Sequence, residues 1–265
     1  MSEDYQRAGN LTDKEIEAKV LQQTNNFLES MGKNINSYAL VPRILKFDGL
    51  TKDTRDTLSE LNIAVSEIDL ASVSQLNTDQ RTAFNTILEA AYVNKRGCFF
   101  LDGPGGTQKT FLYKALLADV RSKGFIVLAT ASCGVAALIL PRGRTAHSRF
   151  KVPIDLSAEN MCKISKQIAL ADLLRQAKLI IWDEAPMTHK TAIEGVDKMF
   201  KDIMSSTELF GSKVIVLGGD FRQVLPVVTK GSKADFIQAS IVNSYIRPHL
   251  QKLRLTQKHE GDIRS

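Results

Sequence analysis

The sequence predicts an α/β domain: a parallel sheet with helices on both faces, preceded by a mainly helical N-terminal appendage. Three observations predict it. Four short apolar runs, CFFL (Cys98–Leu101), FIVLA (Phe125–Ala129), LIIW (Leu179–Trp182) and VIVL (Val214–Leu217), lack the polar alternation of a half-exposed strand, as strands buried on both faces do. The stretches Lys109–Arg121, Ser132–Leu140 and Lys190–Met204 are long enough to be crossover helices between parallel strands. Polar or glycine-rich segments follow the runs at their carboxyl ends, where an open parallel sheet binds its ligands.

Taken in order, residues 13–31 place Ile16, Val20, Leu21, Phe27, Leu28 and Met31 at helical spacing, and Gly32 can end that helix. Leu40–Leu50, with Pro42 and Gly49, reads as irregular connection, and Asp53–Leu61 as a short helix. Residues 1–73 thus form the appendage, without a chemical signature, and 74–265 the sheet-bearing domain. That domain opens with LNTDQRTAF, a helix capped by Asn77 or Thr78 that carries Gln80 on its first turn, where the amide can read an adenine edge.

Composition narrows the class. No run of about eighteen apolar residues exists and the N-terminus lacks a secretion-signal layout, so a soluble intracellular protein is expected. Cys98, Cys133 and Cys162 are odd in number and far apart, which speaks for buried free thiols over a disulfide framework or a zinc site. The net charge of +6 is uneven: residues 1–75 hold eight Lys/Arg against twelve Asp/Glu, and residues 76–265 hold 27 against 17. A net +10 on the second part suits a phosphate-rich partner.

The strand ends carry the chemistry. After CFFL comes GPGGTQKT, Gly103 to Thr110, in which glycines let backbone N–H groups close on phosphate oxygens, Lys109 reaches the terminal phosphates and the Thr110 hydroxyl can hold magnesium. Gln108 stands where this loop pattern asks for glycine. After LIIW come Asp183 and Glu184, suited to holding magnesium and polarising an attacking water. After VIVL, GGDFRQVLPV brings Asp220, Arg222 and Gln223 to a third strand end, where an amide can sense a γ-phosphate and an arginine can pair with phosphate or carboxylate. RGRTAHSRFKVP, Arg142 to Pro153, concentrates Arg142, Arg144, Arg149 and Lys151 with hydroxyls, His147 and Phe150, a mixture for backbone phosphates and base stacking. With no nucleophile or metal-ligand partner nearby in sequence, His147 by itself reads as a structural histidine.

In order, LNTDQ, GPGGTQKT, ATASCGVAA, GRTAHSRFKVP, IWDEAPM and GGDFRQVLPV resemble the successive motifs of a superfamily-one DNA helicase of the petite-integration-frequency, or Pif-type, family, particularly its plant and Helitron-transposon versions. The resemblance covers about residues 74–257. It implies a RecA-like P-loop NTPase domain, the first motor domain of an enzyme that hydrolyses ATP with magnesium to move 5′ to 3′ along single-stranded DNA. It implies that Gln80 contacts adenine; that Gly103, Pro104, Gly105, Gly106, Thr107, Gln108, Lys109 and Thr110 cradle the nucleotide; and that Thr110 and Asp183 hold Mg2+. Glu184 would then work on the water and Gln223 on the γ-phosphate. Thr130, Ser132, His147 and Ser148 would line the DNA path, joined by Arg144 and Arg149 of the basic segment. The expected setting is a monomer acting on single-stranded DNA or DNA junctions, in the nucleus or an organelle, with no membrane partner.

Two residues depart from the family pattern. Gln108 brings a Cβ and a long amide to a loop position where relatives have bare backbone, and Glu260 in LTQKHE stands where the family tends to place an arginine. One motor domain is visible where the family uses two, so the expectation is a truncated helicase chain. Its rivals are a catalytically inactive remnant that still binds nucleotide or single-stranded DNA, and a P-loop NTPase with a small-molecule partner.

Overall fold

In the computed structural model of the chain, the described residues are 57, 59–93, 95–153, 169–222, 225–228 and 231–256. The chain divides into two units, Met1–Thr51 and Lys52–Ser265, and the second holds everything below. The boundary expected near residue 73 falls inside that second unit. The helix expected over 13–31 and the irregular stretch 40–50 lie outside the described residues, as does Cys162.

In the second unit the described residues 57 and 59–61 are helical, within the stretch expected as a short helix; α1 (Glu67–Ala71) and α2 (Thr78–Tyr92) follow, and strand and helix then alternate: β1 (Gly97–Asp102), α3 (Lys109–Ser122), β2 (Val127–Ala131), α4 (Gly134–Ile139). A two-residue β3 (Arg144–Thr145) runs into α5 (Ala146–Phe150), and α6 (Ala169–Gln176) precedes β4 (Leu179–Asp183). The order closes with α7 (Lys190–Met204), β5 (Val214–Gly219), α8 (Lys233–Ala239) and β6 (Gln251–Arg254). The six strands lie in the order β3-β2-β4-β5-β1-β6, and every pairing is parallel.

The apolar runs work as strands because alternate residues enter different cores. Phe100, Leu128, Ile180 and Leu217 face α6 and α7, where Leu174, Ile193 and Phe200 close the layer. Phe99, Val127, Ile181 and Val216 face α2 and α3, against Ile87, Leu112 and Leu116. Leu112 and Leu116 are fully buried, and each such leucine contributes about 1.5–3 kcal/mol of apolar transfer.

Four differences from the sequence reading have physical causes. Gly124 turns with a φ of +75°, leaving Phe125 exposed against Tyr92, so β2 starts at Val127 and extends to Ala131. The helix expected over Ser132–Leu140 occupies only Gly134–Ile139: the Ser132 N–H donates to the Asp183 carbonyl (3.0 Å), and Cys133 caps the helix through its sulfur. The edge strands β3 and β6, of sequence RT and QKLR, lack an apolar run because an edge is shielded by charge and shortness. Cys98 and Cys133 are half-buried, not buried; burial, then Asp197, pushes the Cys98 thiol up to about 12.

Candidate active site

Adjacent strands β1 and β5 send their outgoing chains in opposite directions, β1 through α3 to β2 and β5 across β1 to β6. That reversal opens a crevice at their carboxyl ends, the usual ligand position of an open parallel sheet. The register aligns Asp102 with Gly219 and Ala131 with Asp183, so the loop after β1 and the residues ending β4 and β5 meet there.

The loop 103–108 is built by its own hydrogen bonds. The Thr107 hydroxyl donates to the Pro104 carbonyl (2.8 Å), and a Cβ at Gly103 would stand 2.5 Å from that hydroxyl, which explains glycine there. Gly105 and Gly106 are exposed, and Gly106 has a φ of +83°. Gln108 has left-handed backbone, φ 50° and ψ 50°, and no side chain caps the helix α3 that follows it. The glycine preference at this position is therefore conformational as well as steric. Lys109 Nζ donates to the Gly103 carbonyl (2.7 Å), arching over the loop it belongs to, and Thr110 follows on the first turn of α3. An uncapped helix N-terminus beside a lysine is an anion cradle.

Gln80 braces this loop from behind. Asn77 caps α2: its side chain accepts from the Gln80 N–H (2.9 Å), and its own N–H donates to Gln80 Oε1 (3.1 Å). Gln80 Nε2 donates to the Thr107 carbonyl (3.1 Å). The amide expected at an adenine edge is thus fully buried, joining the α2 cap to the phosphate loop.

Three carboxylates face Lys109. Burial raises Asp183, opposed by the Glu184 backbone N–H, by Lys109 and by Tyr113. Burial also raises Glu184, helped by Asp183 and Asp220 and opposed by Lys109; its φ of 53° places it in the left-handed region, the kind of local strain that gathers at functional sites. Burial works against ionisation of Asp220 too, but its carboxylate accepts from Arg222 Nε (2.7 Å) and the Arg222 N–H (3.0 Å), and these hold it below the ordinary range. Gln223 lies outside the described residues, as does Glu260.

The residues fit a magnesium ion. Asp183 is buried at the end of β4, yet its carboxylate faces Lys109 beside Glu184, and a carboxylate with the Thr110 hydroxyl is the hard oxygen donor set this cation takes. Sequence reasoning passed over Tyr113, which packs under the loop with its hydroxyl beside Asp183. Burial, then Asp183, raises its ionisation far above the ordinary phenol range. The Lys109–Thr110 to Tyr113 spacing, three to four residues along one helix, was the available signal.

The DNA-path residues divide. Arg144 and His147 are exposed, which corrects the structural reading of His147, and Ser148 is half-buried. Ser132 is half-buried; its hydroxyl accepts from Trp182 Nε1 (3.0 Å) and lies 2.6 Å from the Thr188 hydroxyl. Three expectations are corrected. Thr130 is fully buried, its hydroxyl donating to the Ile181 carbonyl (2.7 Å) inside the sheet. Arg149 is 2 % exposed and paired with Glu60 (2.9 Å), and Phe150 packs on Trp182 and Phe200 in the core. Neither side chain is presented to a polymer.

The parallel sheet, the phosphate loop at its switch point and the acidic ends of the neighbouring strands define a RecA-like P-loop nucleotide-binding domain. The chain belongs to the PIF1-like helicase family, whose model matches residues 75–261. It is 31% identical over 134 residues to the ATP-dependent DNA helicase Pif1 of Psychrobacter sp. (strain PRwf-1), a match that covers 50% of this chain and 20% of the relative. It is also 31% identical over 169 residues to the ATP-dependent DNA helicase PIF1 of Danio rerio, across 63% of this chain and 25% of the relative. The matched segment thus spans a fifth to a quarter of these relatives' length. Among solved structures, the fold resembles Pif1 helicase from Bacteroides in complex with ADP-AlF3 and ssDNA, with a TM-score of 0.58 and 22% identity over 69% of this chain and 42% of that one. Pif1 helicase from Candida albicans superposes with the same TM-score and identity over 69% of this chain and 40% of its own.

Proposed function

We propose that this chain supplies the first motor domain of an ATP-dependent DNA helicase that moves 5′ to 3′ on single-stranded DNA, of the plant and Helitron-like kind, acting as a monomer in the nucleus. The observation that carries the reading is the meeting of Lys109, Asp183, Glu184 and Asp220 at adjacent strand ends. Family membership supports the DNA part, as does a relative's structure with ADP-AlF3 and ssDNA.

In this mechanism the loop N–H groups and the start of α3 hold the phosphates, and Lys109 leaves the Gly103 carbonyl to pair with the terminal one. Asp183 and Thr110 would hold magnesium, which would supply positive charge against the phosphates. Glu184, its carboxyl raised by burial and by two acidic neighbours, accepts a proton from the attacking water. Arg144 on β3 and His147 on α5 lie exposed, available to DNA phosphates.

The test is binding of a fluorescent non-hydrolysable ATP analogue to the full chain, with and without magnesium and an oligothymidine. Magnesium should tighten binding, Lys109→Ala should remove it, and the oligothymidine should bind with a clear salt dependence. Equal nucleotide binding by wild type and Lys109→Ala would refute the reading. A second reading, a module that binds without turnover, is favoured by the left-handed Gln108; binding of both ligands with no ATP hydrolysis, restored by Gln108→Gly, would select it.

A further inference from the structure

We propose that Tyr113 is a positioning residue for Asp183, its phenol donating to the carboxylate oxygen left over when the other oxygen takes the metal. The inference rests on the nucleotide reading above.

Tyr113 is the fifth residue of α3, four after Lys109 and three after Thr110, so one helix face carries the phosphate lysine, the metal hydroxyl and this phenol. The ring is fully buried in the core layer beneath the loop. Its hydroxyl is sealed from solvent and has no hydrogen-bond partner, a state that native structures rarely tolerate without a reason. Asp183 Oδ1 is in the same condition. Phenylalanine would fill the same space, so packing does not account for the oxygen.

Gly218 shows where the two unpartnered atoms meet. A Cβ built there would stand 1.6 Å from Tyr113 Oη and 3.4 Å from Asp183 Oδ1, so both oxygens border one notch that glycine leaves open at the end of β5. The phenol and carboxylate interact across it without having closed into a well-aligned hydrogen bond. A phenol is a neutral donor at physiological pH and the ionised carboxylate an acceptor, so closing that bond satisfies both atoms. Fixing the spare oxygen orients the other toward the cation, as partners behind a metal ligand do.

The experiment titrates magnesium against a fluorescent non-hydrolysable ATP analogue bound to the full chain, in wild type, Asp183→Asn, Tyr113→Phe and Gly218→Ala, with thermal melts in EDTA. Wild type should bind more tightly with magnesium, and Asp183→Asn should lose that response. Tyr113→Phe should need about tenfold more magnesium at midpoint, with unchanged nucleotide affinity in EDTA and a melting temperature at or above wild type. Gly218→Ala, whose methyl would collide with Oη, should raise the midpoint similarly and provides the answer if Tyr113→Phe does not fold. An unchanged midpoint in Tyr113→Phe, while Asp183→Asn responds, overturns the proposal alone. So does a Tyr113→Phe that loses stability and EDTA affinity together, because that is the signature of packing. No magnesium response in wild type overturns the nucleotide reading itself.

Discussion

Replacing Arg149 with alanine should damage the fold and not the DNA contact that its basic neighbourhood suggests. Its side chain is 1% exposed, and Nη1 lies 2.9 Å from Oε1 of Glu60, whose side chain is 6% exposed. A second guanidinium nitrogen reaches the Arg142 carbonyl at a marginal 3.5 Å. Removing the arginine takes away the ion-pair partner of the buried Glu60 carboxylate and, among the described residues, leaves it the Arg121 charge alone; breaking a buried pair from one side costs about 3–5 kcal/mol, whereas an exposed pair is worth about 1 kcal/mol or less. In a domain of this size each kcal/mol moves the midpoint by about 2–4 °C, so Tm should fall by about 6–20 °C.

The assay is thermal and urea denaturation of the full chain at neutral pH, paired with single-stranded DNA binding at two salt concentrations. Arg149→Ala and Glu60→Ala should each be strongly destabilised, and the apolar pair Glu60→Leu with Arg149→Met should recover most of the loss. Arg144→Ala, at an exposed position, should change stability by about 0.5 kcal/mol or less while reducing the salt slope of DNA binding by about 1. An Arg149→Ala chain as stable as wild type, with weakened DNA binding and a reduced salt slope, would refute the reasoning.

Two further outcomes follow from particular residues. Gln108→Gly relieves a left-handed side-chain conformation worth about 1 kcal/mol, partly offset by a freer unfolded chain, so a melt should show a small gain and a titration of an ATP analogue tighter binding; equal affinities would clear Gln108. Burial, then Lys178, lowers Lys213 to about 8, while the unfolded side chain keeps its ordinary value of 10.5. Between those values the unfolded state binds more protons, so this group makes stability rise with pH from about 8 upward. Denaturation midpoints of Lys213→Met should lose that upward slope, and an unchanged slope would count against the burial.

What could be read without coordinates was what neighbours in sequence determine. The β4 start and the bounds of α7 match the sequence reading because an apolar run and a helical period carry their own boundaries. The phosphate loop and the Asp183–Glu184 pair were legible because their chemistry is packed into a few consecutive residues. Burial of Arg149 within the basic segment was not legible. Whether Arg149 faces solvent depends on Glu60, 89 positions earlier, and whether Thr130 is free depends on the Ile181 carbonyl across the sheet. Gln80 shows a mixed outcome: its place on a capped first turn was correct, but the partner of its amide, the Thr107 carbonyl, is a tertiary fact.

The burial of Arg149 and Phe150 also changes the reading of the segment 142–153. Among its exposed members, Arg144 and His147 stand on a short strand and helix held down by the same residues that leave the surface: Arg149 on Glu60, Phe150 on Trp182. Trp182 in turn donates to the Ser132 hydroxyl, and the Ser132 N–H donates to the Asp183 carbonyl. Residues expected beside DNA and the carboxylate expected beside magnesium are therefore members of one hydrogen-bonded pair of strand ends, β2 and β4. A shift at Ser132 cannot be absorbed by side-chain rotation alone, because one of its bonds is to the backbone that carries Asp183. The sheet register, more than any single basic residue, is what would bring the two expected chemistries within reach of each other.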